Sequence, residues 1–369
     1  MTKLIKYVLI AAATVFASCI NDSDMDECGE NLSPTQPVGT FDADGRLSNS
    51  DVEIRLSAGS GTILNTRAPI TESGAEFSAS GIGIFCLATS HLNSRAEEFP
   101  IDWRAGADAW SVWIDNAESK AIGRNIYIST ETEGEEKVYY YPNGNLHCYS
   151  FYAYYPRKDA KIKYCKDKII ARINLDGTQD IMWGKSQPDQ SCYENYRTSY
   201  SALYFHKAQD AQFPRIKTFN HKMARLDFKI SSTDDEAENY RLASIELLEM
   251  PQTAILTVAD NVHVEEGFVD YCGTTTYTLK DENDEKIGPC EILSGQEIVG
   301  HICIPAVKTK ITMRVILEHK TGKFYSRTYT ILPPHKGDSF VEGYYYGVPI
   351  TVGKSGTITV GDITETDRE

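Results

Sequence analysis

The sequence lacks the patterns by which most catalytic and cofactor-binding chains announce themselves. Its eight histidines are scattered, with no H-E-x-x-H or comparable ligand spacing, so no metal centre is expected. No G-x-S-x-G elbow is present to expose a nucleophilic serine. Gly184-Lys185-Ser186 and Gly353-Lys354-Ser355 resemble the end of a phosphate-binding loop. The glycine required five residues upstream is replaced by Gln179 and Val348, and the flanks do not read as strand then helix. Asp281-Glu282-Asn283-Asp284-Glu285 lacks the spaced ligands and glycine of a calcium loop and reads as a solvated turn. His221, in Phe219-Asn220-His221-Lys222-Met223, reads as a packed strand residue rather than a base. Positive charge is scarce. Lys and Arg number 37 against 52 Asp and Glu, for a formal net charge of −15, which removes the basic footprint that nucleic acid needs. Helix-rich repeats are absent, and after the first residues no apolar run approaches the ~20 residues of a membrane-spanning helix. These absences together point to a non-enzymatic chain with no cofactor. Its acidic, self-repelling surface is expected to associate through apolar or strand contacts.

What is present begins with the amino end. Lys3 and Lys6 precede a short apolar run, Tyr7 to Phe16, and then the small residues Ala17 and Ser18. This is the layout of a secretory signal peptide over residues 1–18. Phe16-Ala17-Ser18-Cys19 resembles a bacterial lipobox, which makes Cys19 the expected site of lipidation. A multiply acylated cysteine holds firmly, since each buried methylene contributes about 0.8 kcal/mol. Asn21-Asp22-Ser23-Asp24-Met25-Asp26-Glu27 resembles the acidic surface-export tags of Bacteroidetes lipoproteins. The expected location is therefore the cell surface, on the outer membrane through lipid. Residues 19–50, with Pro34, Pro37, Gly39 and Gly45, read as a lipidated terminus and linker.

Order begins with an alternating strand in which Val52, Ile54, Leu56 and Ala58 face one way and Glu53, Arg55 and Ser57 the other. A glycine-rich turn follows, then a loop carrying Asn65-Thr66-Arg67-Ala68-Pro69. Gly81 to Ala88 is a nearly continuous apolar run, as expected of a strand covered on both faces. Tyrosine-rich segments flank the turn pair Asn143-Gly144, and Ile169 to Ile173, Ile181 to Trp183 and Ala202 to Phe205 are read as further strands. Ala224, Leu226, Phe228 and Ile230 alternate with Arg225, Asp227 and Lys229. The second half continues in the same style, closing on Tyr346, Val348, Ile350 and Val352 and on Thr357 to Val360. Short strands with Gly, Pro and Asn punctuation imply an all-β chain of two tandem β-sandwich domains. The acidic stretch Ser231 to Asn239 places their boundary, giving domains over 51–232 and 233–369.

Nine cysteines occur, and no two form a C-x-x-C. Cys86 and Cys303 lie inside apolar runs, where cysteine behaves as a small hydrophobe, so most of the thiols are expected to stay unbridged. Trp103, Trp110 and Trp113 are close together. They read either as a cover over the first sandwich or as a platform for a sugar ring.

Five segments, in order, resemble the fimbrillin superfamily of Bacteroidales. They are Thr66-Arg67, Gly81-Ile82-Gly83-Ile84-Phe85, Tyr149 to Pro156 (YSFYAYYP), Asp180 to Gly184 (DIMWG) and Phe219 to Leu226 (FNHKMARL). The resemblance covers residues 1–230 by motif and the remainder by architecture. It implies a transthyretin-like, two-domain pilus subunit made as a lipoprotein precursor. In that family a protease cutting after arginine removes the first strand, and a strand from a neighbouring subunit takes the vacated groove. Carried to this chain, the cut falls at Arg67. The removed strand carries Val52, Ile54 and Leu56, and the donor candidates are Tyr346 to Val352 and, with Ile358 and Val360, Thr357 to Ile363. The expected partners are other pilin subunits and a host or bacterial surface. The alternative is a surface glycan-binding lipoprotein that keeps its lipid.

Overall fold

The computed structural model describes residues 48–58, 78–88, 101–122, 125–128, 138–143, 149–158, 160–186, 200–207, 213–216, 219–233, 239–261, 266–280, 289–295, 297–334 and 339–366. The chain is nearly all β, as the strand spacing predicts, and its sheets pair off into two sandwiches.

The largest sheet has eight strands, in the order β11 (Arg215–Ile216), β2 (Leu56–Ala58), β5 (Asn125–Ile128), β4 (Val112–Ile122), β3 (Ser78–Ala88), β7 (Tyr149–Tyr155), β10 (Met182–Ser186) and β12 (Asn220–His221). A two-stranded ribbon, β1 (Asn49–Glu53) with β6 (Tyr140–Pro142), is formed by the residues just ahead of β2. Against the large sheet lies a four-stranded one, ordered β16 (Val269–Cys272), β15 (Thr253–Asp260), β9 (Lys168–Asn174) and β8 (Ala160–Tyr164). The ring of Phe85 on β3 meets that of Tyr164 on β8 edge to face at 6.4 Å, and Tyr164 donates its hydroxyl to Asp115 of β4 at 2.5 Å. At the other end Trp183 of β10 donates its indole N–H to the Val258 carbonyl of β15 at 2.8 Å. Beside it the Lys185 ammonium, 2.6 Å from the Glu266 carboxylate, forms a largely buried ion pair. The Gly184-Lys185-Ser186 triplet is thus part of a strand, with its lysine engaged across the sandwich.

The second sandwich joins a sheet ordered β19 (Glu297–Pro305), β13 (Met223–Ser232), β22 (Tyr345–Val352) and β23 (Ile358–Val360), in which β24 (Thr364–Thr366) also pairs with β22, to one ordered β17 (Thr275–Thr278), β14 (Tyr240–Met250), β20 (Ile311–His319) and β21 (Phe324–Ile331), in which β18 (Cys290–Glu291) also pairs with β14. Tyr329 of β21 donates to the Ile358 carbonyl of β23 at 3.0 Å, tying the two sheet edges together. β13 and β22 run parallel in register from Arg225 opposite Tyr345 to Ser232 opposite Val352.

The sheets do not divide at residue 232. β13, placed by its position in the first domain, pairs with β19 and β22 of the second sandwich. β15 and β16, placed in the second domain, return to the first, where β15 lies antiparallel to β9. Most of the acidic stretch lies outside the described residues, and the strands on either side of it, β13 and β14, both belong to the second sandwich. The chain therefore crosses between sandwiches three times over residues 221–275, and a short bridge holds them there. Tyr277 donates to the Pro251 carbonyl at 2.6 Å, the Cys303 amide donates to the Gly177 carbonyl at 2.7 Å, and Lys280 pairs with Asp176 at 2.5 Å. Gly177 has φ +93, and a Cβ there would lie 2.7 Å from Ile302, so this corner requires glycine.

The core is densest where the sequence is most continuously apolar. Ile82, Ile84, Phe85, Cys86 and Leu87 of β3, and Phe151, Tyr152, Ala153 and Tyr154 of β7, have no exposure to solvent. Burying each large apolar side chain contributes about 1.5–3 kcal/mol. Gly83 in the middle of β3 has a packing reason. A Cβ there would come within 2.3 Å of the Tyr154 ring, which lies flat over the backbone while its hydroxyl donates to Asn116 at 2.8 Å.

One local expectation is corrected. Ala202 to Phe205, read as a strand, belongs to helix α1 (Ala202–Lys207); a short apolar run does not by itself discriminate the two. Among the described residues Cys86, Cys272, Cys290 and Cys303 carry thiols, in line with mostly unbridged cysteines, and Cys165 is disulfide-bonded. Burial pushes the Cys86 thiol well above its ordinary pKa, which makes it unreactive.

Candidate assembly site

The alternating segment at Val52 supplies β1 of the two-stranded ribbon and β2, the second strand from one end of the large sheet. Ile54 and Leu56 are buried, at 7% and 5% exposure, while Arg55 between them is exposed. The alternation is as expected, but the strand is interrupted. β1 pairs antiparallel with β6, Asn49 opposite Pro142 and Glu53 opposite Tyr140, with an irregularity between. β2 then pairs antiparallel with β5, Leu56 opposite Ile126. The Ile54 amide bridges the interruption by donating to the Tyr139 carbonyl at 2.7 Å. Residues 49–58 thus run from β6 on to β5, with β11 on the far side of β2, and removing them would bare edges of β5, β6 and β11, leaving backbone N–H and C=O groups unpaired.

The far side of this seat is built by residues 200–207 and 213–216, which the sequence reading had not assigned to it. β11 lies parallel to β2, Arg215 opposite Ser57 and Ile216 opposite Ala58, and the Ser57 amide donates to the Pro214 carbonyl at 3.1 Å. Behind it the ring of Phe205 stacks on Phe213 at 5.5 Å and tilts against Tyr141 at 5.2 Å. Tyr141 lies beside Phe151 of the central strand β7, and burial raises its hydroxyl well above the ordinary tyrosine pKa. From α1, His206 Nε2 meets Asp51 Oδ1 at 2.8 Å, and the Arg55 guanidinium sits 5.4 Å from the centroid of the Phe213 ring. A signal existed in the sequence: Tyr200, Tyr204, Phe205 and Phe213 form an aromatic group too dense for an ordinary loop.

The carboxyl end offers a second margin. Tyr346, Val348, Ile350 and Val352 have no exposure, and β22 is paired on one side by β13 and on the other by β23 and β24. Its role is that of an interior strand of the second sandwich. Ile358 and Val360 belong to the three-residue edge strand β23, held by Ile350, Thr351 and Val352. Next to β23 opens a groove of about 580 Å³ lined by Tyr329 to Pro334 and Ile358 to Ile363. On its other wall β21 is exposed along Phe324 to Thr328.

The tryptophans do not form a shared platform. Trp103 is fully buried and so cannot present its face to a sugar. Trp110 and Trp113 are half-buried, and Trp113 donates its indole N–H to the Tyr140 carbonyl at 2.7 Å, holding β6 in place beneath the first strand. Two of the motif segments turn out to be neighbours in space. The Asp180 carboxylate accepts from His221 Nδ1 at 2.6 Å, both residues buried, and Met182 stands opposite His221 in the sheet. Cys19, Arg67 and Asp281 to Glu285 lie outside the described residues. Among the described residues there is no group of three side chains able to hold a metal ion, and no helix is long and apolar enough to cross a membrane.

A family model described as fimbrillin-like matches residues 66–367. The chain belongs to the fimbrillin-like family. Among solved structures it is similar to a candidate cell adhesion protein from Bacteroides uniformis, at 16% identity and TM-score 0.49, over 86% of this chain and 99% of that one. A counterpart from Bacteroides ovatus matches at 14% identity and TM-score 0.47, over 87% and 99%. A fimbrial protein from Bacteroides vulgatus matches at 9% identity and TM-score 0.41, over 86% and 99%. Comparison with curated proteins finds no match.

Proposed function

We propose that this protein is a structural and adhesive subunit of a surface pilus, exported as a lipoprotein precursor and assembled by strand exchange. Membership of the fimbrillin-like family supports the pilus-type role, and adhesion is in keeping with the names of the similar structures. One observation carries the exchange: residues 49–58 supply β1 of the ribbon and β2 of the large sheet, between β5 and β11, yet they lie before residue 66, where the family match begins. A cut at Arg67 separates this strand, together with the lipid at Cys19, from the rest of the fold. Cutting therefore both opens the seat and frees the subunit from the outer membrane. The incoming strand pairs the bared edges of β5 and β6 at once and fills the places of Ile54 and Leu56. Its register is set because a slip of one residue turns every side chain over. The donor is the closing segment Thr357 to Ile363, because β23 is short, lies at an edge and borders an open groove.

N-terminal sequencing of the protein sheared from cells tests this. The expected mature protein begins at Ala68 and runs as ladders that resist detergent. A surface protein that still carries Cys19 and its lipid, remains single and retards on polysaccharide gels would instead make it a glycan-binding lipoprotein.

A further inference from the structure

The seat of the first strand reads charge as well as shape. Inward, it takes apolar side chains at the positions of Ile54 and Leu56. Outward, α1 and the residues before β11 approach it at two points of opposite character. His206 Nε2 lies 2.8 Å from the Asp51 carboxylate, and the Phe213 ring lies under the Arg55 guanidinium at 5.4 Å. A ring face attracts a cation and gains nothing from a neutral or acidic neighbour. The imidazole favours an acceptor over a cation. Glu53 pairs with Arg55 within the strand itself at 3.0 Å and touches no seat residue through that pair. Read along 51–56, the seat therefore asks for acid, apolar, any, apolar, cation, apolar.

The protein's own closing segment cannot meet this request. Its apolar pair, Ile358 and Val360, can take two neighbouring inward positions in four ways, two in each direction. In those four registers the place of Arg55 is filled by Thr359, Gly361, Thr359 or Thr357. The place of Asp51 is filled by Ser355, Thr357, Ile363 or Gly361. Neither charge is supplied in any of them, because the only cations nearby are Lys354 and Arg368, at the two ends.

We propose that His206 of α1 and Phe213 beside β11 form a charge-reading clasp that selects, as the strand entering this subunit, a segment of a different subunit with an acidic residue and a Lys or Arg four positions after it. A second copy of this chain is the disfavoured occupant. This rests on the reading that the first strand is replaceable, and the experiment separates the two. The full chain is given a specific protease site between residues 58 and 78 and is cut. The exchange of labelled peptides into the seat is then measured. The peptides span 48–58, 48–58 with Asp51→Lys and Arg55→Glu, 48–58 with Ile54→Asp, and 354–366. The unaltered 48–58 peptide is expected to bind about ten-fold more tightly than the charge-swapped one, from two exposed contacts each contributing about three-fold. It is also expected to outbind 354–366. The difference between native and swapped peptides should shrink at high salt and nearly vanish in His206→Ala, Phe213→Ala protein, while the Ile54→Asp peptide stays weak throughout. Equal binding of native and swapped peptides, or a difference that survives loss of both clasp residues, overturns the clasp while leaving strand replacement intact. Failure of every peptide to enter the cut protein overturns strand replacement itself, and the clasp with it.

Discussion

The central pair β3 and β7 and the marginal pair β1 and β2 belong to the same sandwich and are both alternating or apolar in sequence, yet they are held very differently. β3 is flanked on both sides by long antiparallel partners, and its side chains from Ile82 to Ala88 are sealed from water. The first strand has short partners, changes them midway, and buries chiefly Ile54 and Leu56. The contrast teaches where replaceability comes from. A strand can be exchanged when it contributes a few buried side chains and short pairings, as β2 does with two residues against β5 on one side and two against β11 on the other. It cannot when long partners on both sides lose their ladders with it.

The largest effect should come from the centre. Phe85→Ala is expected to cost about 3–5 kcal/mol of global stability, seen as a lowered denaturant midpoint. Gly83→Ala follows, at about 1–3 kcal/mol from overpacking, since the added methyl meets the Tyr154 ring. Ile54→Ala, at about 2 kcal/mol, should be felt locally. Amide exchange across residues 49–58 should accelerate while that of β3 is unchanged. If Ile54→Ala lowers protection of β3 as much as Phe85→Ala does, the two regions are one cooperative unit and the contrast fails.

The smallest effect belongs to the bridge between sandwiches. Burial alone would raise the Asp176 carboxyl, but hydrogen bonds from Lys280 and Thr178 outweigh it and bring the pKa from 3.8 to about 2. A lowered folded-state pKa stabilises the protein above the unfolded value, and that gain is lost as pH falls. The pair's contribution should therefore be full above about pH 4 and disappear towards pH 2. Because Asp176 is nearly half exposed, solvent screening keeps the effect below about 1 kcal/mol. Asp176→Asn should flatten the stability profile across that window and lower stability at neutral pH by that same small amount, leaving the acid end unchanged.

Much of the fold was legible in local pattern. The buried run Gly81 to Ala88, the alternation from Ala224 to Ile230 and the inward set Tyr346, Val348, Ile350 and Val352 all became strands with the expected faces. The candidate site was legible in half. Ile54 and Leu56 point inward as read, but the wall opposite them, with His206 and Phe213, was not assigned, and Ala202 to Phe205 was taken for a strand. Trp103 was one candidate for a platform and proved to be interior. In each missed case the residue types suited either role, and a distant neighbour made the choice.

From its own letters the chain determined that it would be β, where its strands would lie and which side of each would be dry, because side-chain alternation and turn residues act within a few positions. Only the tertiary structure decided which strands share a sheet, that β13 joins the second sandwich while β15 returns to the first, and that helix α1 closes over the first strand. Backbone hydrogen bonds are alike for nearly every residue, so pairing across long stretches of chain leaves no local mark and is settled by which packed arrangement buries the most apolar surface.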